Sequence, residues 1–133
     1  MQEFLQVLKS LSIVAAGGAV GAVSRYVVSG LTHRIFATSF PLGTLVVNTT
    51  GCLLIGFLLE TATQTTLVSD SWRLALGIGF LGALTTFSTF GYETVELLKE
   101  SQWILAFANV ATNVLIGLFS VWLGVIAARL ITG

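Results

Sequence analysis

The sequence predicts an all-α integral membrane protein with four transmembrane helices, the third of them broken near its middle. Three observations predict it. The chain is 55% hydrophobic and only 9% charged, whereas soluble domains carry about a quarter charged residues. Four apolar stretches each approach the ~20 residues that a helix needs to cross the hydrocarbon core. Within the third stretch, Gly82-Ala83-Leu84-Thr85-Thr86-Phe87-Ser88-Thr89-Phe90-Gly91 brings in hydroxyls, aromatic rings and glycine. Backbone in lipid must satisfy its own hydrogen bonds, so a segment prone to break its helix there has to face protein or water. Polar, breakable stretches of this kind are where membrane proteins handle ions and small solutes.

The chain reads as a single domain. Its spans run from about Leu11 to Leu31, Gly43 to Leu59, Leu74 to Tyr92 and Trp103 to Ala128, joined by Thr32 to Leu42, Glu60 to Arg73 and Val95 to Gln102. These links leave no room for a soluble domain, so function has to lie within or between the helices. Lys plus Arg and Asp plus Glu each total six, which gives no net field to attract nucleic acid. Met1 to Ser10 holds Glu3 and Lys9 and has no cationic run before a short apolar core, so it does not read as a cleaved signal peptide. One cysteine, Cys52, supports neither a disulfide framework nor a cysteine zinc set.

The first span carries Gly17 and Gly21, four apart on one face, where small residues let helix backbones approach closely. Arg25 follows one turn later. It can snorkel to the interface or place a positive charge at the mouth of an anion path. The second span opens after Pro41, the only proline. Asn48 is one turn from both Thr44 and Cys52, and a membrane-buried amide must find either another helix or a hydrated solute. Its two N–H donors suit an anion better than a cation. Cys52 reads as a small packing residue.

The third span is glycine-rich before its break, with Gly77, Gly79 and Gly82. Phe87 and Phe90 are three apart, on one helix face, which is usual for core packing. Here Thr85, Thr86, Ser88 and Thr89 surround them. Ring edges are electropositive and can meet an anion beside hydroxyl donors, while carbonyls freed by a helix break can coordinate a small cation. The fourth span carries Asn109, Thr112, Asn113 and Ser120, and its asparagines form a polar stripe that faces the bundle interior or a pore. Trp72, Trp103 and Tyr92 sit near span ends, as interfacial anchors do. Glu60, Glu93 and Glu96 fall at helix ends on this reading, so no carboxylate is expected in mid-span.

The flanking charges are nearly symmetric. Lys9, Arg73 and Arg129 lie on one side, and Arg34 and Lys99 on the other with Arg25 near that end. Such a balance gives almost no orientation by the positive-inside rule. A protein with balanced flanks can insert both ways. Four short helices enclose little interior, so an antiparallel two-fold homodimer is the simplest closed assembly.

Gly82-Ala-Leu-Thr-Thr-Phe-Ser-Thr-Phe90, with Gly43-Thr-Leu-Val-Val-Asn48 and Gly21-Ala-Val-Ser-Arg25-Tyr26 upstream, resembles the Fluc (CrcB-type) fluoride channels over nearly the whole chain. The Thr-Thr-Phe-Ser-Thr-Phe run is the specific part. The resemblance implies a dual-topology, antiparallel homodimer in the bacterial inner membrane, with two fluoride pores and a structural sodium ion on the dimer axis. It implies sodium ligation by the backbone carbonyls of Gly82 and Thr85, and a fluoride pathway of Asn48, Phe87, Phe90, Ser88 and Thr89, with Arg25 as the basic residue of the first span. Asn109 and Asn113 are placed beside the same pathway. The implied purpose is passive export of cytoplasmic fluoride. Two positions depart from the family pattern: Ala83 stands where a second glycine is common, and Asn109 where some members have a pore-side tyrosine.

Two rival classes are weaker. A small multidrug-type, proton-coupled antiporter needs a membrane-embedded carboxylate, and the first span offers Arg25 and no acid. An intramembrane enzyme needs a nucleophile–base pair or a metal cluster. The only histidine, His33, lies in a predicted loop, so the protein is expected not to be an enzyme.

Overall fold

A computed structural model describes all residues from Met1 to Gly133. Four helical spans, each long and apolar enough to cross a membrane, make up almost the whole chain. α1 is Gln2–Ile35 and α2 is Leu42–Gln64. The third span, Asp70–Lys99, has two parts. α3 opens as an α-turn at Asp70–Trp72, runs as π-helix over Arg73–Leu81 and closes as an α-turn at Gly82–Leu84. α4 is Phe87–Lys99, and α5 is Trp103–Thr132.

The helices overrun the spans read from hydropathy. α1 begins at Gln2 rather than near Leu11, and α4 continues to Lys99 rather than stopping near Tyr92. Hydropathy marks where lipid contact ends, whereas backbone hydrogen bonding continues as long as the residues favour a helix. The 34 residues of α1 extend about 51 Å at 1.5 Å per residue, well beyond an apolar core of about 30 Å. His33 and Arg34 occupy the last turn of α1, where cations offset the negative end of the helix dipole. His33 therefore ends a helix instead of sitting in a loop.

Glycines set the crossings. A Cβ at Gly17 would lie 2.2 Å from Ala75 O, and one at Gly21 2.2 Å from Phe80 O. The backbones of α1 and α3 touch there, as the four-residue spacing predicts. α2 meets α5 in the same way through Gly56 and Gly124. Val47, Leu81 and Leu84 form the small buried core between α2 and α3, flanked by Val28, Ile55, Leu58 and Phe80. Only 17 of the 133 residues are buried, so most of the apolar surface is left for lipid or a partner.

The third span is interrupted at two residues. Thr85 (φ −81°, ψ 157°) and Thr86 (φ −152°, ψ 117°) are extended, between helices on either side. The Thr86 hydroxyl accepts from Thr89 N–H at 3.1 Å, the N-cap arrangement that threonine favours. Thr85 turns inward, both its N–H and its hydroxyl bonding to Leu81 O at 3.1 and 3.0 Å.

The turn from α4 to α5 is three residues long. Ser101 N–H bonds to Leu98 O and Gln102 N–H to Leu97 O, the paired bonds of a Schellman cap. Ser101 has φ 60°, a left-handed conformation that costs a non-glycine residue about 1 kcal/mol. Ser101→Gly is expected to raise the thermal midpoint of the purified protein by a few degrees, about 1 kcal/mol. A lower midpoint would refute that account of the turn.

Candidate functional site

The interruption is held open by Asn48. In an unbroken helix the Thr86 N–H would bond to Gly82 O, four residues back. It donates instead to Asn48 Oδ1 at 2.8 Å. Asn48 Nδ2 returns a bond to Thr86 O at 3.2 Å and reaches Asn113 Oδ1 at 3.0 Å. One amide of α2 thus takes over the N–H of a residue in the break, shares its carbonyl with α4, and ties it to α5. Asn48 shares a face with Thr44 and Cys52, as the spacing predicts, but its direct partners are Thr86 and Asn113.

Two cavities flank this clamp. The first, about 480 Å³, is lined by Arg25, Tyr26, Thr44, Thr86, Thr89 and Glu93 among others. The second, about 410 Å³, is lined by Asn48, Gly82, Thr85, Thr86, Phe87, Phe90 and Asn113 among others. Thr86 belongs to both. The side chain of Arg25 is partly buried in the wall of the first cavity, which places the first-span charge at a polar recess between α1, α2 and α4.

The Phe87 and Phe90 rings stand 5.5 Å apart at 53°, a tilted pair of the kind aromatic quadrupoles prefer. Phe87 is 84% exposed in the protomer, while Phe90 is half-buried. Ser88 and Thr89 are exposed on the first turn of α4. Thr86 Oγ1 lies 3.3 Å from Ser88 Oγ and donates to Thr89 Oγ1 at 2.9 Å. Gly82 is exposed and Thr85 half-buried, both on the second cavity.

Asn109 is placed differently. It is 0% exposed and lines neither cavity. Its amide donates to Thr94 Oγ1 at 2.9 Å and accepts from Asn113 Nδ2 at 2.9 Å. The asparagine stripe on α5 does face the bundle interior, with Asn113 at the second cavity and Asn109 packed behind it.

One expectation about carboxylates is corrected. Glu93 does not fall at a helix end: α4 runs on to Lys99, and Glu93 lies within it, partly buried. Thr44 Oγ1 donates to Glu93 Oε1 at 2.8 Å, and Glu93 Oε2 is buried without a partner. The hydropathy boundary near Tyr92 hid this acid. The sequence reading also passed over Thr86 and Thr44 as site residues. A threonine opening a helix after a glycine-rich turn is an N-cap signal, and Thr44 sits one turn before Asn48.

The family described as "CrcB-like protein, Camphor Resistance (CrcB)" matches residues 12–125. The chain belongs to the CrcB family. Among its relatives, a protein of Geobacter sulfurreducens is 45% identical over 122 residues, covering 92% of this chain and 98% of its own. One from Geobacter sp. (strain M21) is 43% identical over 122 residues, with the same coverage. One from Dehalococcoides mccartyi (strain ATCC BAA-2100 / JCM 16839 / KCTC 5957 / BAV1) is 46% identical over 112 residues, covering 84% of this chain and 86% of its own. Each of the three is named "Fluoride-specific ion channel FluC". CrcB membership and four spanning helices make this a multi-pass membrane protein of a channel family, not an enzyme.

Proposed function

We propose that the protein is a fluoride-selective channel of the bacterial inner membrane that exports cytoplasmic fluoride passively. It works as an antiparallel, dual-topology homodimer with two pores and a structural sodium ion at the interface. The observation that carries this reading is the interrupted third span, with an amide clamp and a ring pair beside it and a cavity on either side. Fluoride is small and tightly hydrated, so a pore must replace its water with many weak donors while keeping it mobile. Ser88 and Thr89 supply hydroxyl donors and Phe87 and Phe90 supply ring edges. Asn48 donates to the ion by releasing its longer bond, the one to Thr86 O, and Asn113, both of whose N–H groups are held by Asn109, lines the path. Arg25 draws the anion into the first cavity. Asn109 supports this set from behind.

The residues at the break fit a sodium ion. Diverting the Thr86 N–H to Asn48 leaves Gly82 O without its helical donor, and Thr85 is extended, so both carbonyls are free of the helix ladder. A Cβ at Gly82 would meet only Gly77 O, at 3.9 Å, so this side of the protomer is open enough for a partner to approach. Bound there, the ion would supply a fixed positive charge that offsets carbonyl dipoles from both subunits. Exposed Phe87, Ile78 and Phe107 supply apolar surface for that partner to cover.

Fluoride efflux from liposomes carrying the purified protein, read with a fluoride electrode, is the direct test. Fluoride leaves rapidly and chloride does not; equal rates for the two anions defeat the reading. Phe87→Ile and Phe90→Ile are each expected to lower flux about tenfold or more while the dimer elutes unchanged. Unaltered flux in both removes the ring pair from the pathway. Orientation is read by labelling single cysteines placed in the loops, and one exclusive orientation rules out dual topology. Glu93 alone favours a second reading, proton-coupled transport on the small multidrug pattern, because a partly buried acid can exchange protons. That reading requires uptake of a cationic dye driven by a proton gradient.

A further inference from the structure

We infer that Asn109 and Thr94 position the pathway from outside it, as links in a one-way hydrogen-bond chain that leaves α4 at Thr86 and returns to it at Phe90. Each bond in the chain donates in the same sense. Thr86 N–H donates to Asn48 Oδ1 (2.8 Å), Asn48 Nδ2 to Asn113 Oδ1 (3.0 Å) and Asn113 Nδ2 to Asn109 Oδ1 (2.9 Å). Asn109 Nδ2 then donates to Thr94 Oγ1 (2.9 Å), whose hydroxyl donates to Phe90 O (2.8 Å). The route passes from α4 to α2, across to α5, along it by one turn, and back to α4.

The direction is dictated from one end. A backbone N–H can only donate, so Asn48 must turn its oxygen toward Thr86. That leaves its nitrogen facing Asn113, which must answer with oxygen, and the same logic sets Asn109 and the Thr94 hydroxyl. Flipping any one amide places nitrogen against nitrogen or oxygen against oxygen. Bonds aligned in this sense polarise one another and strengthen together. The two ends of the chain are the N-cap of α4, Thr86, and its first turn, at Phe90, the segment that carries both rings. The chain therefore fixes that segment against α2 and α5 at once, and fixes which face Asn48 presents. Asn109 and Thr94 line neither cavity, so they act through Asn113 and Asn48 rather than on the ion.

Its consequence for flux rests on the channel reading; its consequence for the Thr86 N–H does not. Thr94→Val removes the last side-chain link with little change in shape, Thr94→Ser keeps the hydroxyl, and Asn109→Leu removes a middle link. Amide hydrogen exchange at Thr86, measured by NMR on the full chain in detergent, is expected to accelerate about tenfold in Thr94→Val and Asn109→Leu and to stay as in the wild type in Thr94→Ser. Liposome fluoride flux is expected to fall about three- to tenfold in each of the first two variants, with Thr94→Ser restored to the wild-type rate. The double variant Thr94→Val/Asn109→Leu is expected to fall no further than the worse single one, because two cuts in one chain are not independent. Unchanged exchange at Thr86 in Thr94→Val, or losses that multiply in the double variant, overturns the inference. A wild-type protein that carries no fluoride defeats the channel reading, and the exchange rates then decide the chain alone.

Discussion

Gly124→Ala is expected to prevent assembly of the native protein, with Gly56→Ala close behind. A Cβ at Gly124 would lie 2.2 Å from Leu53 O and 2.8 Å from Phe57 N, and one at Gly56 2.3 Å from Val121 O. The obstructing atoms are backbone, so no rotamer change relieves them, and α2 and α5 must move apart as rigid bodies. Overpacking a close contact costs about 1–3 kcal/mol and sometimes more. Here separation of the helices would also stretch the Asn48–Asn113 bond and the Arg129–Glu60 pair at 2.7 Å. Gly117→Ala is the control on the same helix, because its Cβ would meet only Cys52 Sγ at 3.5 Å, an ordinary contact. Size-exclusion profiles after graded heating should show Gly117→Ala melting with the wild type and Gly124→Ala aggregated or strongly shifted. A wild-type midpoint for Gly124→Ala would show that the two helices do not meet as described.

Asn48→Leu is expected to remove fluoride flux by about a hundredfold or more, whichever of its two roles dominates. Leucine fills much the same space but leaves Thr86 N–H and Asn113 Oδ1 without their partner and takes one of two donors from Thr86 O. Thr86 is 7% exposed, and each buried polar group stranded in this way costs about 1–3 kcal/mol. Asn48→Asp sharpens the test. It keeps an acceptor for the Thr86 N–H but turns oxygen toward Thr86 O and Asn113 Oδ1, so it should fail nearly as badly. Wild-type flux in Asn48→Asp would mean that the Nδ2 bonds play no part in the pathway.

Much of this architecture was legible in the sequence, for physical reasons that also mark where legibility ends. The four spans follow from apolar length, and the interruption follows from glycine and threonine placed where lipid would demand an unbroken ladder. The Gly17 and Gly21 face was readable because small residues at that spacing have few other uses in a membrane helix. Helix ends were not readable from hydropathy, since helices outlast lipid contact; this is why Glu93 was placed at an end when it lies inside α4. The partners of Asn48 depend on how α2, α4 and α5 slide past one another, which no local pattern specifies. The stripe of Asn109 and Asn113 was visible, but only the packing separates the residue at a cavity from the one behind it.

Thr86 lines both cavities, so one residue faces the two recesses at once. A transmembrane voltage falls mostly where the medium is least conducting. Wherever electrolyte fills the recess on each side, the drop would concentrate at the residues between them, Thr86 and the Asn48 amide that holds it. An elementary charge crossing the full potential gains about 2.3 kcal/mol per 100 mV, and residues between the recesses would meet a larger share of it than residues at the mouths. Current should then bend with voltage according to what stands between the recesses, more than with changes at the cavity mouths.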